Sequence, residues 1–111
     1  MPDLDTPARI LQTADATIHQ RAADRDVERE RSMKATVEAF NAIHGTKLTE
    51  AQGWSFMVLL KIKRSFTGTR FREDDFVDEA AYAALCAEAR EEELMTIDEK
   101  FIRSVDEATR S

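Results

Sequence analysis

The stretch "TEAQGWSFMVLLKIKRSFTG", residues 49–68, decides how the chain folds. It opens on Thr49, Glu50, Ala51 and Gln52, the pattern of a capping box, in which a threonine hydroxyl and a glutamine side chain satisfy each other's free backbone donors. It then carries Trp54, Phe56, Met57, Val58, Leu59, Leu60, Ile62 and Phe66 before Gly68 stops it. A helix that is apolar almost all round is covered almost all round. Residues 50–67 are therefore expected to form the central helix of a bundle and the heart of its core.

Working outward, the segments on either side read as helices too. Thr6 before Pro7 is an N-cap with proline at the first helical position, and Ile10, Leu11, Ala14, Ile18 and Ala22 recur at helical spacing, which predicts a helix over 7–22. The charged stretch "ADRDVERERS", residues 23–32, has no apolar period and is either a loop or the exposed start of the next helix. Met33, Val37, Phe40 and His44 step by four, three and four, and Gly45 supplies a left-handed residue, so a second helix is expected near 29–44. Asp74 reads as the N-cap of a helix over 75–94. "TIDE", residues 96–99, reads as a second capping box opening a helix over 97–109, with Ile97, Phe101, Ile102 and Val105 on one stripe. No segment alternates with period two. The expectation is one all-α domain, residues 1–111, folded as a small antiparallel bundle of about five helices.

Composition narrows the function classes. A net charge of −6 disfavours a surface given over to nucleic acid. The single Cys86 cannot form an internal disulfide, which points to the cytoplasm. The longest apolar run, Phe56 to Leu60, is far short of a membrane span, and the N-terminus lacks the basic start and apolar run of a signal peptide. Neither a zinc spacing nor a glycine-rich phosphate loop is present.

Three places depart from a plain amphipathic pattern. On a helical wheel, Asp75, Asp78, Glu79, Tyr82 and Cys86 lie opposite Phe76, Val77, Ala80, Ala83, Ala84 and Ala87. That acidic face is either a solvated first turn offsetting the helix dipole or a surface covered by another helix or subunit, with Glu73 a solvated flank. If the second helix reaches back far enough, Asp26 and Glu30 join the stripe of Met33, Val37, Phe40 and His44. With Asp75 and Asp78 they would then form a cluster of hard oxygen ligands suited to Mg2+. Lys61, on an otherwise apolar helix, either lets its ammonium reach water along a buried stem or serves as a phosphate ligand at the head of the basic run 61–72.

The pieces "ERSM" with "AFNAIHG", "GWSFMVLLKIKRS" and "DDFVDEAAYAAL" resemble a group of small phage and prophage proteins over roughly residues 8–90, leaving 96–111 as an additional C-terminal helix. More distantly, the layout is similar to the MazG-type all-α nucleoside triphosphate pyrophosphatases, whose Glu-x-x-Glu and Glu-x-x-Asp pairs hold magnesium. Asp75 and Asp78 correspond to the second pair. Asp26, Glu28 and Glu30 lie near the first without its spacing. The resemblance implies metal-assisted hydrolysis of a nucleotide, with Asp26, Glu30, Asp75 and Asp78 on Mg2+ and Glu30 and Asp78 catalytic. Lys61 and Arg64 would then meet the phosphates, and Tyr82 would line the pocket. It implies equally a non-catalytic relative. A different class of reading is a helical protein that binds a host or phage protein through the acidic, Tyr82-bearing face; a nucleic-acid binder using 61–72 ranks below both. A homodimer in the host-cell cytoplasm is expected in either case, because an apolar central helix often completes its core across a symmetry axis.

Overall fold

A computed structural model describes the backbone of residues 5–28, 32–95 and 97–109, and the side chains of these except 21–28 and 97. The described residues form five helices, α1 (Thr6–Glu28), α2 (Ser32–His44), α3 (Glu50–Ser65), α4 (Glu73–Leu94) and α5 (Ile97–Thr109). The all-α expectation holds, with no strand among the described residues.

The helix boundaries follow local chemistry. Thr49 sits in extended backbone and accepts a hydrogen bond from the Gln52 N–H, while the Gln52 side chain accepts from the Thr49 N–H, so the capping box of α3 is formed as read. Gly45 (φ 67°) ends α2, where the N–H groups of Gly45 and Thr46 both donate to the Asn41 carbonyl. Two caps differ from expectation. At α1 the Asp5 carboxylate, one residue before Thr6, accepts from the Ala8 N–H at 3.1 Å, so Asp5 is the cap. At α4 the extended residue is Arg72, without a side-chain cap bond, and Asp74 lies inside the first turn with Glu73 and Asp75, where their charge offsets the dipole. The capping box expected at Thr96 falls outside the described residues.

Helix α1 also runs beyond its expected end at residue 22 and takes in Asp26, which therefore does not belong to α2. Nothing in residues 23–28 breaks a helix: they contain neither glycine nor proline, and Ala, Arg and Glu are good helix formers.

The packing order is α1, α4, α3, α2. Ile10, Ala14 and Ile18 of α1 lie against Val77, Ala80 and Ala81 of α4. The opposite side of α4 meets α3, and α3 meets α2 across Gly53, where an added Cβ would stand 2.5 Å from Met33 Sδ and 2.8 Å from Val37 Cγ2. Helix α5 is fastened to the end of α4 by Arg103, whose guanidinium donates to Glu91 at 2.7 Å and Glu92 at 3.0 Å. The result is a slab 47 × 42 × 26 Å across.

A slab has little interior. Among the described residues its buried apolar side chains are Ala14, Val37, Ala51, Val77, Ala81 and Ala89, all small. The expectation that α3 would be covered nearly all round is corrected here. Its α4 side is covered, whereas Phe56 (68%), Leu59 (61%) and Phe66 (78%) remain exposed.

Candidate functional site

The polar seam between α3 and α4 gathers most of the residues singled out in the sequence. The two helices are antiparallel, joined by a short turn through Gly68 (φ 82°), so as residue number rises along α3 its partner's falls along α4. Near the turn, the Lys61 ammonium lies 2.9 Å from Asp78 Oδ2 and 3.9 Å from Asp75 Oδ1. Arg64 Nε is 3.9 Å from the same Asp75 oxygen. The Lys61, Asp75 and Asp78 side chains retain 12%, 6% and 18% of their exposure, so these charges are largely removed from water. Such burial is tolerated where opposite charges meet, because an unpaired buried ion costs several kcal/mol.

At the turn end of α3 the Ser65 hydroxyl is 2.9 Å from Glu79 Oε1 and 2.9 Å from the Ile62 carbonyl, sharing one proton between them. Further from the turn the seam becomes less charged. Trp54 and Tyr82 stack with ring centroids 5.5 Å apart. The Cys86 thiol points to the Ala51 carbonyl at 3.3 Å, and the Ala51 N–H donates to Glu93 Oε2 at 3.0 Å. That last bond places a carboxylate on a free N-terminal amide of α3, at the positive end of its dipole.

The acidic face of α4 is thus covered, and its cover is α3 of the same chain. Asp75, Asp78, Lys61, Arg64 and Tyr82 are brought together as a set. Tyr82 is half-buried against Trp54. Asp26 lies in α1, with its side chain outside the described part, and Glu30 is outside the described residues altogether. Glu73 is not a solvated flank: Arg9 of α1 donates to it from Nη2 at 2.7 Å and from Nε at 3.1 Å. These hydrogen bonds hold the Glu73 carboxyl below its ordinary pKa of 4.5, with partial burial pushing the other way and the Arg9 charge adding to the decrease.

The donor set bears on magnesium in two ways. Asp75 Oδ2 is buried without a hydrogen-bond partner, and Asp78 stands one turn along the same helix, so two hard oxygen ligands lie side by side. Among the described residues, however, no group of three or more His, Cys, Asp or Glu side chains converges as a metal cage. The cation that does stand beside the pair is Lys61.

Sequence reading missed three contributors. Glu93 reaches α3 from the far end of α4. Ser65 meets Glu79 across the seam. Asn41 locks the α2–α3 loop, accepting from the Leu48 N–H at 3.0 Å and donating to the Leu48 carbonyl at 2.9 Å. All three depend on register between segments, which no local pattern signals. A polar cleft of 1290 Å³ lies elsewhere, between the start of α3, the end of α4, and α2 and α5, and none of Lys61, Arg64, Asp75, Asp78 and Tyr82 lines it.

No helix among the described residues is long and apolar enough to cross a membrane. No curated protein and no solved structure matches the sequence. Residues 9–90, which hold α2, α3 and the α3/α4 seam apart from Glu93, match the model of a domain of unknown function, DUF6378, and the chain belongs to that family.

Proposed function

We propose that the chain is a non-catalytic helical interaction protein of phage or prophage type. It pairs with a second copy of itself in the host-cell cytoplasm and uses the carboxylates of α4 to fasten its own α3. The observation that supports this reading is the 2.9 Å contact of Lys61 with Asp78, beside Asp75. To take Asp78 as a ligand, a divalent ion would have to displace an ammonium that the chain itself supplies, at a site already largely closed to water. Because the acidic face with Tyr82 is turned to α3, the partner surface is sought on the outer side of α3.

A second reading is favoured by the buried, unpartnered Asp75 Oδ2. In it the protein is a Mg2+-dependent nucleoside triphosphate pyrophosphohydrolase. Asp75 and Asp78, with Asp26 and Glu30, would hold the ion, Lys61 and Arg64 would turn to the phosphates, and Tyr82 would border the nucleotide. The metal would supply charge neutralisation and a water of lowered pKa.

The two are separated by incubating the protein with a panel of nucleoside triphosphates and Mg2+ or Mn2+ and measuring pyrophosphate. Asp78→Asn, checked for helicity by circular dichroism, serves as control. The first reading predicts equal background from both proteins. Release by the wild type that is lost in a folded Asp78→Asn would overturn it in favour of the second.

A further inference from the structure

The outer face of α3 carries a second message, separate from the seam. Ser55, Leu59, Ile62 and Phe66 step by four, three and four, the spacing of a helix–helix contact stripe. Leu59 and Phe66 are exposed as given above, Ile62 is 40% exposed, and Phe56 flanks them. A chain of 12.6 kDa folded compactly has an accessible surface of about 6,200 Å². This one has 8812 Å². Its radius of gyration is 16.7 Å, against about 13 Å for a compact chain of this length. The excess, about 2,600 Å², is spread over the whole chain and is slightly more than the roughly 1,000–2,500 Å² that one protomer contributes to an obligate homodimer interface, so there is surface enough for a stable dimer to bury.

We infer that this stripe packs antiparallel against the same stripe of a second copy, with the two-fold axis passing between Leu59 and Ile62. The inference rests on the self-association proposed above and names its face and register. Antiparallel pairing sets Leu59 against Ile62 of the partner subunit, and the small Ser55 against the bulky Phe66 of the partner subunit. It also matches charge. The turn end of the α3/α4 pair carries Lys63, Arg70 and Arg72, none of which has an ion-pair partner among the described residues. Asp74 is the exposed acid unpaired among them. The other end carries Glu50 and Glu88, likewise unpaired there, against Lys47. A two-fold axis across the middle of α3 sets the end with the basic excess beside the end with the acidic excess, whereas parallel pairing would set like excess against like.

The test uses the full chain. Light scattering is expected to give twice 12.6 kDa for the wild type, and Leu59→Lys is expected to raise the dissociation constant at least tenfold while leaving helicity unchanged. In a Cys86→Ser background oxidised with copper phenanthroline, Ser55→Cys mixed with Phe66→Cys is expected to form a disulfide-linked dimer that neither variant forms alone. A monomer mass for the wild type overturns both the pairing and the self-association. A dimer indifferent to Leu59→Lys, or one in which each cysteine variant cross-links with itself, overturns the face or the register and leaves self-association standing.

Discussion

Replacing Lys61 with methionine removes the ammonium from the α3/α4 seam while keeping most of the side chain's volume. At 2.9 Å and an effective dielectric constant of about 20, the Lys61–Asp78 attraction is on the order of 6 kcal/mol, and the single 3.9 Å contact of Lys61 with Asp75 about 4 kcal/mol, before desolvation is charged against them. Breaking a fully buried pair by removing one partner costs about 3–5 kcal/mol. Two features lower that figure here: Asp78 keeps some contact with water, and Arg64 remains 3.9 Å from Asp75. The expected loss is about 2–4 kcal/mol, a large share of the 5–15 kcal/mol that typically holds a domain of this size together. Urea unfolding followed by circular dichroism measures it, with Lys63→Met on the exposed side of the same helix as a control expected to change stability by less than about 0.5 kcal/mol. The double variant Lys61→Met with Asp78→Leu is expected to recover part of the loss, because no orphaned charge then remains at Asp78. Equal, small effects at positions 61 and 63, or strict additivity in the double variant, would refute the claim that the seam is held by this pair.

Other consequences are independent of that one. Tyr82→Leu removes a stacked ring and is expected to cost about 0.5–1.5 kcal/mol beyond the lost burial; because Trp54 is the only tryptophan, a red shift of its emission should accompany the loss. Glu93→Ala frees the Ala51 amide at the start of α3 and is expected to cost about 1–2 kcal/mol in a thermal melt. Glu73→Gln is expected to lower stability near neutral pH. Since Arg9 depresses the Glu73 pKa in the folded state, the stabilisation is present above the unfolded value of 4.5 and is lost as pH falls through the folded one. The wild-type advantage over Glu73→Gln should therefore vanish in strongly acidic buffer, and an advantage that persisted there would show that the contact acts through packing.

Much of the fold was legible because its signals are local. The capping box at Thr49 and Gln52 and the left-handed Gly45 each lie within one turn of helix and are found where the residues placed them, while of the α2 stripe Met33 and Val37 meet α3 and Phe40 stays exposed. The wheel of α4 likewise separated the face that meets α1 from the face that meets α3. What the residues did not settle was which element would cover each face. Lys61 reads from the sequence as a solvent-reaching lysine or a phosphate ligand, and its partners are aspartates on the neighbouring helix. That pairing is set by the register of α3 against α4 through the turn at 66–72, and register is a property of the folded hairpin. The apolar circumference of α3 misled in a related way. A continuous apolar surface says that something covers the helix, not that the same chain supplies the cover, and the side left uncovered by this chain is the one to which the proposed second copy is assigned.

Asp75 and Asp78 belong either to Lys61 or to a metal. Titrating the protein with Mn2+ while following the NMR signals of the Trp54 indole and the Tyr82 ring, which sit beside the seam, tests this most directly. With Lys61 holding both aspartates, neither signal broadens saturably at millimolar Mn2+. Saturable broadening that disappears in Asp75→Asn would contradict that pairing and place a divalent ion between α3 and α4.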